Sequence, residues 1–314
     1  MAPSILIAGP TGNTGRSLVE TLSKLLVSSD AFSGWKILAL TRSSSGAAAQ
    51  KLAKLPRVEI MEQNWVNITA GWLREHNVKR AFIAPQSLPN QFAEESTFHV
   101  AALNGGVEYV VRISTTFSNV RPDCLAFNAR AHWAIEAMLS TPEFERLQWT
   151  SIQPNFFAQT ALTPAVELIN NYRKTGKQST LRLFPAEDSP LALIDSDDIG
   201  ILAAHLLFSD DLNVHNKAKY VLNGPEDITG REIVAIIEKH LGTQVEDVVF
   251  KDTSTIDQIA AAFPDSEHLI LSIKDAVGTA WDGKLIASAT SREVLRIAAP
   301  KGTPAGVLKR LLDS

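Results

Sequence analysis

Ser4-Ile5-Leu6-Ile7-Ala8-Gly9-Pro10-Thr11-Gly12-Asn13-Thr14-Gly15 is the stretch from which the fold is read. Five residues make a short buried strand. Gly9, Gly12 and Gly15 then mark a sharp turn, and Leu18, Leu22, Leu25 and Leu26 fall at the spacing of one helix face. Strand, glycine turn and helix in that order give the triplet its weight. Glycines let the backbone turn tightly and approach a pyrophosphate, and a helix start offers free N–H groups and partial positive charge. Gly9, Thr11, Gly12, Asn13, Thr14 and Gly15 are therefore candidate phosphate-binding positions. The alternative is a tight strand–helix turn with no ligand. The spacing is G-x-x-G-x-x-G, not the G-x-G-x-x-G of ordinary dehydrogenases.

Outward from this unit the pattern repeats. Lys36–Leu40, Val58–Met61, Arg80–Ala84, Glu108–Ile113 and Trp149–Ile152 read as further strands, with helices expected over Glu94–Leu103 and Ala129–Leu139. Short apolar strands alternating with helices imply parallel βαβ units, because parallel strands need crossovers that cover both faces. The expected fold class is α/β, a Rossmann-type doubly wound parallel sheet with a smaller C-terminal α+β domain. Residues 1–153 with about 190–222 would form the first part, and 154–189 with 223–314 the second. In the second half Ala165–Thr175, Asp195–Phe208 and Thr229–Leu241 read as helices, the last opened by a Thr229/Glu232 capping box. Thr180–Phe184 and Lys219–Leu222 read as strands. Ser43–Ala49 reads as a loop, and the tail beyond Thr243 shows no further βαβ signal.

Strand ends carry the candidate chemistry, because ligands bind at the carboxyl edge of such sheets. The second strand ends in Thr41-Arg42. A carboxylate there would accept from ribose hydroxyls, whereas an arginine suits a 2′-phosphate through a bidentate contact, with Lys51 or Lys54 adding charge. This points to NADP(H) rather than NAD(H). Asn64 and Trp65 follow the third strand, where this architecture meets adenine. Pro85 and Gln86 follow the fourth and would flank the cofactor. Ser114, Thr115 and Thr116 end the fifth, where a hydroxyl could bond the nicotinamide ribose or polarise a substrate oxygen. Arg112 is a charge in a buried strand and needs a carboxylate partner. Asp195, Asp197 and Asp198 are read as helix capping rather than a metal site.

The 314 residues carry net charge −4, which lacks the basic footprint of a nucleic-acid binder. One cysteine, Cys124, excludes an internal disulfide and a cysteine-cluster metal site. No apolar run has the length of a membrane span, and the N-terminus has no basic leader. A cytoplasmic protein is expected, monomer or homodimer, with no membrane and no direct nucleic-acid partner.

GPTGNTG, the Thr41-Arg42 strand end, Ser114-Thr115-Thr116, HWAIEAML, WTSIQPNFFAQT, LIDSDDIGILAAHLL and YVLNGPEDITGREIVAIIEKHLG occur in an order that resembles the NmrA-like family, atypical relatives of the short-chain dehydrogenases. The resemblance spans roughly residues 4–242. It implies a Rossmann domain binding NADP(H), a C-terminal domain closing a substrate cleft, and, in many fungal members, a role in secondary metabolism. Pro154, Asn155 and Phe156 would lie over the nicotinamide, with Phe117, Trp133 and Phe157 as the substrate wall. The Tyr-x-x-x-Lys pair of ordinary short-chain dehydrogenases is missing: none of the three tyrosines has lysine four residues on. His132 holds the matching helix position and is, with Thr116, the expected catalytic residue, since imidazole titrates in the useful range.

Three functions compete. One is an NADP(H)-dependent reductase of a hydrophobic, aromatic or polycyclic small molecule. The second is a redox-neutral enzyme guiding a rearrangement, isomerisation or cyclisation in the same cleft, suggested by the missing Tyr/Lys pair. The third is a cofactor-sensing regulator.

Overall fold

In the computed structural model, which describes residues 2–313, Ser4–Ala8 forms β1, buried along its whole length. After it come α1 (Asn13–Val27), β2 (Lys36–Thr41), α2 (Ala47–Leu52), β3 (Val58–Glu62), α3 (Ala70–Glu75), β4 (Val78–Ile83), α4 (Gln91–Gly105), β5 (Tyr109–Ile113), α5 (Phe127–Leu139), β6 (Gln148–Pro154), α6 (Ala158–Thr175), β7 (Leu181–Leu183), α7 (Ser196–Phe208), β8 (Ala218–Leu222), α8 (Gly230–Leu241) and β9 (Val248–Phe250). The tail holds α9 (Ser254–Ala262), α10 (Glu267–Leu271), α11 (Gly278–Trp281), α12 (Arg292–Ala298) and α13 (Pro304–Leu312). Met1 and Ser314, the outer ends of the two expected ranges, lie outside the described residues.

Seven strands form one sheet in the order β3-β2-β1-β4-β5-β6-β8, every pair parallel. The winding reverses between β1 and β4, which opens a crevice at the carboxyl edge there. Alternate residues of each strand feed opposite faces. Ile5, Ile7 and Ile37 join Leu18, Leu22 and Leu202 under α1 and α7, whereas Leu6, Ala8 and Leu38 join Leu73, Phe98 and Ile135 under α3, α4 and α5. Burying both faces is why these strands read as continuous apolar runs.

Beyond β6, residues of α6, β7, α8 and α13 form a third apolar cluster that includes Leu162, Leu168, Leu181, Ile233 and Leu308. The Thr229/Glu232 capping box is present, and Asp195 caps α7 by accepting from the Asp197 N–H at 3.1 Å. Three readings change. Helix α6 starts at Ala158, not Ala165, and carries Pro164 inside it. The carbonyl that proline leaves free belongs to exposed Thr160, where water can bond it. The Ser43–Ala49 loop ends at Gly46, where α2 begins. In the tail, β9 pairs in parallel with β7, a partner 65 or more residues away that no local pattern announces. Among the described residues no helix is long and apolar enough to cross a membrane.

Candidate functional site

The three glycines of the first turn are there for three different reasons. Gly9 has φ +77°, a left-handed conformation that other residues adopt at a cost. A Cβ at Gly15 would stand 2.1 Å from the Gly9 carbonyl oxygen and 2.7 Å from Pro10 Cα, so the helix start packs directly on the turn. Gly12 is different: its φ of −76° and ψ of 176° suit any residue, and a Cβ would meet only Gly9 O at an ordinary 3.4 Å. Nothing in the protein requires glycine there. Gly9, Thr11, Gly12 and Asn13 are exposed, and α1 begins with no side-chain cap and no acid in its first turn. Thr14 is buried and faces inward, leaving its backbone N–H as its contribution.

Along the same edge, the ends of β2 and β3 enclose a cleft of about 330 Å³ lined by Thr41, Arg42, Glu62, Gln63, Asn64 and Asn67. Arg42 is exposed, with no ion-pair partner among the described residues. Asn64 Oδ1 caps the short turn after β3 by accepting from the Val66 N–H at 3.4 Å. Two of the expected residues do not line this cleft. Trp65 packs edge-on to Phe98 with centroids 6.0 Å apart and joins the apolar cluster under the sheet, because a large indole gains more from burial than from the rim. Lys51 sits on α2 and does not line the cleft.

Pro85 is half-buried and Gln86 exposed after β4. At the end of β5, Ser114 Oγ is buried without a hydrogen-bond partner. Thr115 and Thr116 are half-buried, and Thr116 Oγ1 accepts from Asn119 Nδ2 at 2.9 Å. Asn119 also donates to Ala276 O and Thr279 Oγ1, tying this loop to the tail. Phe117 and Trp133 are each 37% exposed, while Phe157 packs against the cluster under α1 and α7. Pro154 ends β6 and is buried. Asn155 is corrected from cofactor ligand to internal bracket. Its Nδ2 donates to Ala192 O at 2.7 Å and Leu285 O at 3.0 Å, and its Oδ1 accepts from the Phe156 N–H. Phe156 stacks on Phe184 at 4.1 Å within the third cluster.

His132, the expected catalytic residue, lies in a buried polar network. Only 2% exposed, it faces Arg112, whose Nη2 donates to His132 Nδ1 at 2.7 Å. Guanidinium has no acceptor, so Nδ1 carries the lone pair and Nε2 the proton. Burial, then the positive Arg112, push the imidazole down to about 3. The ring is therefore neutral at neutral pH. Arg112 finds its carboxylates in Glu95 and Glu136. Ser151 Oγ and Gln153 Nε2 donate to Glu136, and Lys219 Nζ lies 3.0 Å from it. Burial alone would raise Glu95, but Arg112 holds it well below the usual carboxylate range. Two cations and two carboxylates balance, and both buried histidines, His132 and His99, stay neutral. The arginine in an apolar strand was one sequence signal for this network. Gln91, whose Nε2 lies 3.1 Å from His132 Nδ1, and His99, whose Nε2 lies 3.5 Å from Glu95, gave none, nor did Glu95, Ser151, Gln153 and Lys219.

The NmrA-like family model matches residues 1–280. The chain belongs to the NmrA-like family. No curated protein sequence matches it. Among solved structures it is similar to an NADPH-dependent quinone oxidoreductase from Escherichia coli complexed with NADPH, with TM-score 0.71, 20% identity, and 98% of this chain and 99% of that one covered. It is similar to a Citrobacter sp. triphenylmethane reductase complexed with NADP(H), with TM-score 0.68, 17% identity and coverage of 99% and 100%. It is also similar to NmrA, a negative transcriptional regulator in complex with NAD, with TM-score 0.59, 16% identity and coverage of 79% and 73%. At these identities the likeness is one of fold.

In this NmrA-like chain no tyrosine stands in for the missing Tyr/Lys pair. Tyr109 is buried, its hydroxyl 2.6 Å from Thr150 Oγ1 and pushed up by desolvation. Tyr220 bonds His215 Nδ1 at 2.9 Å, and Tyr172 lies on α6. The polar groups that the fold leaves at the end of β5 are the hydroxyls of Ser114, Thr115 and Thr116.

Proposed function

We propose that this chain binds NADP(H) along the carboxyl edge of the sheet and acts as an oxidoreductase on a hydrophobic, aromatic or polycyclic small molecule of secondary metabolism. The observation that carries the reading is Gly12, whose missing side chain serves nothing within the protein. The NADPH complex of the quinone oxidoreductase and the NADP(H) complex of the triphenylmethane reductase support it. Residues 1–153 with about 190–222 would hold the cofactor, and 154–189 with 223–314 the substrate. The turn from Gly9 to Gly15 would take the pyrophosphate on backbone N–H groups, and Arg42 the 2′-phosphate. Asn64 would meet the adenine edge, and Pro85, Gln86 and Thr115 the nicotinamide end. Phe117, Trp133 and Phe157 would form the substrate wall.

The cofactor, when bound, supplies or accepts a hydride. The chain supplies position and hydroxyl groups that can bond the reacting oxygen. Ser114 Oγ is a buried hydroxyl that lacks a partner, which costs stability unless a ligand completes it. It is the group we assign to orienting the reacting oxygen or the nicotinamide ribose, with Thr116 beside it. Because a hydroxyl is a poor acid at neutral pH, the second reading, a redox-neutral rearrangement in the same cleft, gains from a His132 that is buried and neutral.

Calorimetry with NADPH and NADH, followed by a quinone and dye screen that monitors nicotinamide absorbance, tests the reading. Substrate-dependent oxidation of NADPH that falls about a hundredfold in Ser114→Ala, with cofactor affinity kept within a few-fold, is expected. Product formed without cofactor oxidation favours the redox-neutral reading. Tight binding with no turnover on any substrate favours a sensor.

A further inference from the structure

The cleft at the ends of β2 and β3 holds two opposite charges that do not pair. Thr41 and Glu62 are register partners, so Arg42, one residue on, and Glu62 end neighbouring strands on the same edge. Both line the cleft, yet they are not within ion-pair distance. Ser44 Oγ instead donates to Glu62 Oε2 at 3.0 Å, and Gln50 Nε2 anchors the Ser44 carbonyl at 2.8 Å. Glu62 Oε1 has no hydrogen-bond partner among the described residues.

Arg42 and Glu62 line the same cleft of about 330 Å³, so an anion seated there on Arg42 comes within about a Debye length of Glu62, about 8 Å at physiological salt. A phosphate on the ribose is attracted by Arg42 and repelled by Glu62. A bare ribose feels no repulsion, and a free carboxylate oxygen can accept from its hydroxyls. The two residues therefore act on the two nicotinamide cofactors with opposite sign. We infer that Glu62 is a specificity-determining residue that opposes Arg42, holding down the preference for the 2′-phosphorylated cofactor and keeping the unphosphorylated one able to bind. This rests on the NADP(H) reading above.

The test is a charge series at one exposed position. Wild type, Glu62→Gln and Glu62→Lys are titrated with NADPH and NADH by calorimetry at low and high salt, and melted to verify the fold. Glu62 is exposed, so these changes leave the fold intact. The ratio of NADPH to NADH affinity should rise in the order Glu, Gln, Lys, by about fivefold at the first step, and the gain should shrink as salt rises. A ratio that stays flat across the series while Arg42→Ala still loses its preference overturns the role of Glu62 and leaves the NADP(H) reading standing. Wild type that binds neither cofactor overturns both.

Discussion

Arg112 Nη2 donates to His132 Nδ1 across 2.7 Å in a site where both side chains are buried. That contact leaves the lone pair on Nδ1, and burial, with Arg112 second, keeps the ring neutral. Glu95 and Glu136 complete the network from α4 and α5. It braces the sheet against those two helices.

His132 variants should therefore lose stability and not chemistry. His132→Phe leaves a buried guanidinium N–H without an acceptor and should cost about 3 kcal/mol. His132→Gln keeps an acceptor and should cost about 1 kcal/mol. Denaturant melts measure the loss, and turnover per folded molecule should match wild type. A well-folded His132→Gln protein with turnover reduced a hundredfold would restore the imidazole to the mechanism.

The same network sets a pH dependence. His132 and His99 both titrate below the ordinary histidine value in the folded protein, chiefly through desolvation. Below about pH 6.5 the unfolded chain binds protons that the folded chain refuses, so stability falls as pH falls. Glu95 is held low by Arg112 against its burial, and its contribution is lost further down, as pH drops through the carboxylate range. Urea denaturation between about pH 7.5 and 5 should show the decline starting above the range where carboxylates alone would act. His132→Gln should flatten that upper part. A stability curve level down to about pH 5 would contradict the assignment.

Two glycines of the turn should separate cleanly. Gly12→Val should fold with near wild-type stability and bind no cofactor, because its Cβ meets nothing crowded and the added methyls fill the approach to the backbone. Gly15→Ala should be strongly destabilised, because its Cβ would stand 2.1 Å from a carbonyl oxygen of the turn. Thermal melts and calorimetry on both variants test this. A stable Gly12→Val protein with intact binding would reduce the turn to a structural role.

Arg42→Ala should bind NADPH at least about tenfold more weakly, about 1.4 kcal/mol, with NADH affinity nearly unchanged. An equal loss for both nucleotides would place the arginine on a shared part of the cofactor.

The sequence by itself determined the doubly wound sheet and the place of the glycine turn. Both rest on short-range signals: apolar runs such as Ser4–Ala8, glycines at fixed spacing, and a helix face that repeats within a few turns. Even the need of Arg112 for a carboxylate was legible, because a charge in an apolar strand cannot be left alone. Which carboxylate met it was not. Tertiary structure decided that His132 would face Arg112 and not the cleft, that Trp65 would turn under the sheet, and that Asn155 would bracket Leu285, 130 residues away. It also gave α5 a cap from Ser272, whose Oγ accepts the Phe127 N–H from 145 residues on. A polar side chain reads the same in sequence whether it points to a ligand or to a distant carbonyl. The difference is made by desolvation, which forces each buried donor and acceptor to find a partner wherever the packed chain brings one.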